Sequence, residues 1–139
     1  MVNLQINNLQ LQNMKQIIYT KNAPEPIGPY SQAVLVGNTL YTSGQIALDP
    51  ETMHLILHSI EEETTRVMKN LQALLEAADM TFENVIKTTI FLSDMEDFVN
   101  MNAIYGSYFN EKTAPARETV QVSNLPKNVN IEISMIAMK

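Results

Sequence analysis

Val85-Ile86-Lys87-Thr88-Thr89-Ile90-Phe91-Leu92 is a run rich in β-branched side chains, too short for a long helix and free of glycine and proline. It reads as a well-buried strand, and its flanks decide the fold class. Upstream, Ser59 followed three residues later by Glu62 makes a capping-box pattern. Ile60, Val67, Leu71, Leu74, Leu75 and Ala78 then fall on one helical face, which predicts a helix over 60–78. Downstream, Asp94 is placed to cap a second helix, in which Phe98, Met101, Tyr105 and Tyr108 recur at helical steps and the end lies near Asn110. Further out, Ala33-Val34-Leu35-Val36 and Thr39-Leu40-Tyr41-Thr42 flank Gly37-Asn38, a two-residue connection that closes a β-hairpin. Ile17-Ile18-Tyr19 is a short strand candidate, closed by a loop with prolines at 24, 26 and 29 that prevent regular pairing. Glu118 to Val122 and Asn130 to Met138 complete the set, separated by the turn-forming Asn124-Leu125-Pro126-Lys127-Asn128. The expectation is one α+β domain over 14–139, with a sheet of about six strands and two helices.

Composition narrows the function. With 139 residues, 45% hydrophobic and 17% charged, the chain has the balance of one globular domain. A net charge of −6 leaves little material for a broad basic face, so nucleic acid is not an expected partner. The lack of cysteine removes disulfides, thiol nucleophiles, iron–sulfur clusters and Cys-type zinc sites. No stretch approaches the ~18 apolar residues of a spanning helix, so no membrane role is expected and the cytoplasm is the default location. Residues 1–13 carry no charged side chain and read as an extension ahead of the domain, neither signal nor transit peptide. Within them Val2, Leu4 and Ile6 alternate in the manner of an added strand.

Few residues offer chemistry. Arg117 follows Ala114-Pro115-Ala116, so an anchored loop holds a guanidinium where a strand begins; it either grips a carboxylate bidentately or pairs with Glu118 or another nearby acid. In the last strand Val129, Ile131, Ile133, Met135 and Ala137 share one face, which turns Glu132 and Ser134 to the other beside Ile136 and Met138. Glu132 is then either a charge that discourages edge pairing or a general base whose pKa is set by burial. Tyr30 is a core aromatic or a donor to a bound anion. Ser43-Gly44-Gln45 is a simple turn or a place where a ligand approaches the backbone closely. Asn102 lies on the second helix near its buried stripe, as a surface amide or a site residue. His54 and His58 are four apart outside a helix, so metal binding is not expected. The triplet Glu61-Glu62-Glu63 most simply complements the dipole of the first helix. Gly28, Gly37, Gly44 and Gly106 stand singly, so no phosphate loop and no nucleotide cofactor are expected.

Taken in order, Ile27-Gly28-Pro29-Tyr30-Ser31-Gln32-Ala33, Tyr41-Thr42-Ser43-Gly44-Gln45-Ile46, Asn70-Leu71, Met101-Asn102-Ala103-Ile104-Tyr105, Pro115-Ala116-Arg117 and Leu125-Pro126 with Ile131-Glu132-Ile133 resemble one family. It is the RidA/YjgF reactive-intermediate deaminase family, also labelled endoribonuclease L-PSP, and the likeness runs from about Met14 to the C-terminus. The resemblance implies a chorismate-mutase-like α+β fold, one mixed sheet backed by two helices, and a homotrimer whose active sites lie in clefts between subunits. It places the substrate-carboxylate arginine on Arg117 and the acid/base or water-activating glutamate on Glu132. Tyr30, Ser43, Gly44 and Asn102 match substrate-binding positions, and Thr119, on the strand face of Arg117, is expected to line the cleft.

The implied reaction is cofactor-independent hydrolysis of 2-imino acids, or of their enamine tautomers, to 2-keto acids and ammonia. The alternatives are a protein that binds or senses a small 2-keto acid without turnover and, against the net charge, an endoribonuclease or translation inhibitor. Four residues depart from the family pattern. Met53 and Asp79 stand where glycine is usual, Glu63 where glutamine is common, and Ser134 where a second glutamate often follows Glu132. Met53 is expected to reshape the loop carrying the two histidines, and Asp79 to affect stability.

Overall fold

The computed structural model describes Asn7, Gln10 and residues 14–139; the strand suggested by Val2, Leu4 and Ile6 lies outside the described residues. Strands β1 (Lys15–Ile18), β2 (Ala33–Val36), β3 (Thr39–Thr42), β4 (Val85–Leu92), β5 (Ala116–Gln121) and β6 (Ile131–Met138) form one sheet in the order β1-β2-β3-β6-β4-β5. All neighbours are antiparallel except β4 and β5, which makes the sheet mixed. Helix α1 (Ile60–Ala77) links β3 to β4, and α2 (Phe98–Gly106) is the crossover that lets β5 return parallel to β4. Gly37 takes φ 59°, the left-handed conformation that a tight two-residue hairpin requires at its first central position.

The period-two pattern of β4 and β6 separates two sheet faces. Thr88, Ile90, Leu92, Ile131, Ile133, Met135 and Ala137 are buried beneath the helices with Val67, Met68, Leu71 and Met101 of α1 and α2. The other face carries Ile17, Val36, Tyr41, Val120 and Met138, all more than one-third exposed.

Element ends differ from expectation where pairing, not local sequence, sets them. β1 is Lys15–Ile18 rather than 17–19, because its partners run from Val36 back to Ala33. β5 begins at Ala116, opposite Lys87, two residues ahead of the expected Glu118. Asp94 caps a single 3₁₀ turn, Met95–Asp97, by accepting from the Glu96 amide, and α2 proper follows and stops at Gly106, short of Asn110. Ser59 caps α1 as expected, accepting from the Glu62 amide at 3.1 Å.

Two departures from the family pattern leave backbone signatures. Asp79 has φ 56° and closes α1 in a Schellman motif, in which the Met80 amide donates to Leu75 and the Asp79 amide to Glu76. Met53 sits at φ 59°, so it adopts the conformation a glycine would, in a turn tied by the Asp49 side chain to the amides of Glu51 and Thr52. Holding this conformation without a glycine costs about 1–2 kcal/mol of strain at Met53 itself.

Glu63 corrects the reading of the acidic triplet. It is fully buried, and its carboxylate accepts from the Asn130 amide (2.7 Å), the Asn130 side chain (2.9 Å) and the Ile131 amide (3.2 Å). Rather than facing solvent at a helix end, it pins the start of β6 to α1.

Candidate active site

The site is built first from the end of β3. After Thr42 the chain leaves β2 and pairs with β6: Gln45 and Ile133 exchange backbone hydrogen bonds at 2.8 and 3.1 Å. This lays Gly44 directly against Glu132. A Cβ on Gly44 would fall 2.5 Å from Glu132 Oε1, so glycine is required for the carboxylate to sit where it does. Ser43 is fixed in turn, its hydroxyl donating to the Ser31 carbonyl at 2.6 Å.

The opposite wall is the proline-rich loop. Buried Gln32 fastens it: its side-chain amide donates to the carbonyls of Thr20 (2.9 Å), Ala23 (3.2 Å) and Pro24 (2.9 Å), and accepts from the Thr20 amide (2.8 Å). The two walls enclose a cleft of about 350 Å³, lined among others by Glu25, Tyr30, Ser43, Gly44, Pro126 and Glu132. Burial pushes the Glu132 carboxyl above its ordinary pKa. Next to Pro126, Lys127 and Asn128 both take left-handed φ values, 55° and 57°, and turn the chain into β6.

Arg117 stands elsewhere. It pairs with Thr88, whose side chain is buried on the helix face, so its own side chain rises toward α2. There Nη1 donates to Asn102 Oδ1 at 2.7 Å, and the guanidinium carbon lies 4.9 Å from the Tyr105 ring centroid and 5.7 Å from that of Phe98. The Tyr105 hydroxyl donates to Thr88 Oγ1 at 3.0 Å, which holds the ring in place. Two residues along the same strand face, the buried hydroxyl of Thr119 has no hydrogen-bond partner among the described residues. Glu118 is not the partner of Arg117: it points to the other face, where it pairs with Lys87 and accepts from Thr89 at 2.8 Å.

The seven residues singled out in the sequence therefore fall into two groups. Tyr30, Ser43, Gly44 and Glu132 share the cleft; Arg117, Asn102 and Thr119 form a ledge along β5 and α2. Glu132 lies opposite Phe91 and Arg117 opposite Thr88, positions of opposite parity on β4, so the two side chains leave the sheet on opposite faces. One chain does not bring them onto one ligand. Sequence reading passed over Gln32, Glu25, Phe98 and Tyr105 as individual site residues. Only the proline-rich loop, the motif around Tyr30 and the aromatic stripe of α2 pointed toward them. His54 and His58 are exposed in an irregular loop, and among the described residues no three His, Cys, Asp or Glu side chains converge as a metal ion requires.

Replacing Gly44 by alanine is expected to displace the Glu132 side chain rather than unfold the sheet, since the atoms met are those of a side-chain end. Any turnover that uses Glu132 is expected to fall at least about tenfold while the melting temperature changes by no more than about 3 °C, readable from one activity assay and one thermal scan.

A half-buried carboxylate in a glycine-walled cleft can exchange a proton with a small molecule, and a guanidinium held separately by an amide and two rings can grip a carboxylate. Residues 20–139 match the endoribonuclease L-PSP family, to which the chain belongs. A RutC family protein of Pyrococcus horikoshii is 51% identical over 91% of this chain and 99% of its own. The human protein named 2-iminobutanoate/2-iminopropanoate deaminase is 45% identical over 91% of each. Among solved structures, the Rid family protein YyfA of Yersinia pestis superposes with a TM-score of 0.88 at 45% identity, covering 91% of this chain and 100% of that one. Escherichia coli TdcF with bound serine superposes with a TM-score of 0.84 at 38% identity, covering 89% and 98%. Among the described residues no helix is long and apolar enough to cross a membrane.

Proposed function

We propose that this chain hydrolyses 2-imino acids, or their enamine tautomers, to 2-keto acids and ammonia, and does so as a homotrimer in which each site joins the cleft of one chain to the Arg117 ledge of its neighbour. The observation that carries the reading is the half-buried Glu132 carboxylate fitted against Gly44. The deaminase names of the mammalian relatives support the reaction, and the serine held by TdcF supports a ligand of that size.

Arg117 takes the substrate carboxylate through its remaining N–H groups, while Asn102 and the two rings fix its direction. Tyr30 and Ser43 bound the space for the imine. Water adds through its oxygen to the imine carbon, and its proton passes to Glu132. From the protonated imine this gives a neutral carbinolamine; Glu132 returns the proton to its nitrogen, and as the carbon–nitrogen bond breaks the remaining hydroxyl proton passes to the carboxylate, which leaves the keto acid and ammonia. Burial raises the pKa of this carboxyl, which makes it a stronger base than a free carboxylate and so favours its taking the proton from water.

The same shift gives a pH dependence. The ionised carboxylate is needed to accept the proton, so kcat/KM is expected to fall as pH drops through a value above the ordinary carboxylate range, with Glu132→Gln low and flat across it. The sign for stability is opposite. Because the folded state holds this proton more tightly than the unfolded chain, Glu132 favours folding at acid pH and loses that contribution as pH rises through the raised pKa. The decisive assay couples a threonine or serine dehydratase to this protein and follows imine decay by semicarbazide trapping. Accelerated loss that disappears with Arg117→Ala and Glu132→Ala supports the reading. Tight keto-acid binding without acceleration would replace it by a binding function.

A further inference from the structure

The register of the sheet sets Thr88 of β4 beside Arg117 of β5, with both side chains on the helix face. Above them α2 presents Phe98, Asn102 and Tyr105, spaced i, i+4 and i+7 along one helix face, and all three meet the guanidinium. Tyr105 then closes a loop of contacts. Its ring lies 4.9 Å from the guanidinium carbon, and its hydroxyl donates to Thr88 Oγ1 at 3.0 Å. Thr88 is the odd member of its strand face: it shares that face with buried Ile90 and Leu92, and a valine would fill its place without burying a hydroxyl. Fully buried, that hydroxyl has Tyr105 as its hydrogen-bond partner. Burial pushes the Tyr105 pKa up, so the phenol keeps its proton and remains the donor at neutral pH. A phenol tied at its far end cannot swing about its side-chain torsions, and its ring stays against the cation.

We infer that Thr88 is a positioning residue for substrate binding: acting through Tyr105, it holds the Arg117 guanidinium in the orientation that meets the substrate carboxylate. This rests on the deaminase reading and goes beyond it, because Thr88 is sealed beneath α2, out of reach of a ligand. Asn102 fixes one nitrogen by one hydrogen bond, about which the planar fork can still pivot. The tethered ring supplies the second constraint, since a guanidinium held over a fixed aromatic face keeps its plane. In Thr88→Val the Tyr105 hydroxyl loses its acceptor in a buried place and turns toward solvent, taking the ring off the cation.

The test measures KM and kcat for the imine that an amino-acid oxidase releases from 2-aminobutyrate, and the Kd for 2-ketobutyrate, in the full chain and its variants. The grip on the carboxylate is made in the bound substrate as well as in the transition state, so its loosening is expected in KM and Kd rather than in kcat. Thr88→Val and Tyr105→Phe are each expected to raise KM and Kd about fivefold or more, with kcat within about twofold of wild type. The double variant is expected to match either single one, since both remove the same hydrogen bond. Thr88→Ser keeps the hydroxyl and is expected to hold both constants within about twofold of wild type. Val67→Ala, which opens a void in the core on α1, is expected to lower the melting temperature and leave KM and Kd unmoved. KM and Kd within about twofold of wild type in both Thr88→Val and Tyr105→Phe overturn the inference while leaving the deaminase reading intact. So does a rise that Thr88→Ser shares or that Val67→Ala reproduces. A wild type that binds 2-ketobutyrate without accelerating imine loss, with the rise in Kd present in Thr88→Val, overturns the deaminase reading and keeps the role of Thr88. A wild type that neither turns over nor binds overturns both.

Discussion

Two inactive chains, one carrying Arg117→Ala and the other Glu132→Ala, are expected to regain deaminase activity when unfolded together and refolded as a mixture. Each variant alone removes one half of every site, and a loss of about 100-fold or more is expected for either. In the cyclic trimer proposed above, a mixed assembly would contain interfaces that place the intact arginine ledge of one chain against the intact cleft of the next. For equal, random mixing about a quarter of the sites are whole, so the mixture is expected to recover up to about a quarter of wild-type activity. The motive is geometric: Arg117 pairs with Thr88 and Glu132 with Phe91, and the two leave the sheet on opposite faces. A mixture that assembles normally but stays as inactive as its components would show that the site is not shared between chains.

The second large effect concerns stability. Glu63→Ala is expected to cost about 3–5 kcal/mol, measured as a shift in the denaturant midpoint, because it strands the part-buried Asn130 amide and the buried Ile131 amide and opens a void between α1 and β6. Glu63→Gln separates the hydrogen bonds from the charge. Its amide oxygen can still accept from both backbone amides, and the Asn130 side chain can turn over to meet the new NH₂ group. A loss of about 1 kcal/mol or less is expected there. Equal losses in the two variants would mean that the charge itself, and not the acceptor geometry, holds the strand.

Much of the fold was legible because its signals are local. The Gly37-Asn38 hairpin, the Ser59 cap and the apolar stripe of α1 each depend on residues within one or two turns of each other, and the alternation of β6 assigned Glu132 to its correct face. What escaped depends on distant partners. Glu63 looked like a dipole complement because nothing near it names Asn130, 67 residues away. The start of β5 is set by the parallel register with Lys87, which no residue near Ala116 encodes. Arg117 could be matched to a ligand or to an acid, and Asn102 to a surface or a site; the crossover through α2, which brings the two together, settles only their mutual contact. Most of all, parity can be read within one strand but not between strands until a register is known. The separation of Arg117 from Glu132 was therefore invisible in the residues, although both had been singled out.

That separation also bears on descent. The cleft is assembled from the proline-rich loop, the segment after β3 and the start of β6, and the ledge from β5 and α2, with no hydrogen bond linking Arg117 to any cleft residue. Either surface can change by point substitution without repacking the other. A lineage built on this fold could shed its guanidinium and keep an intact receptacle, or reshape the receptacle around an unchanged anchor, so that chemistry and recognition are inherited as separable traits.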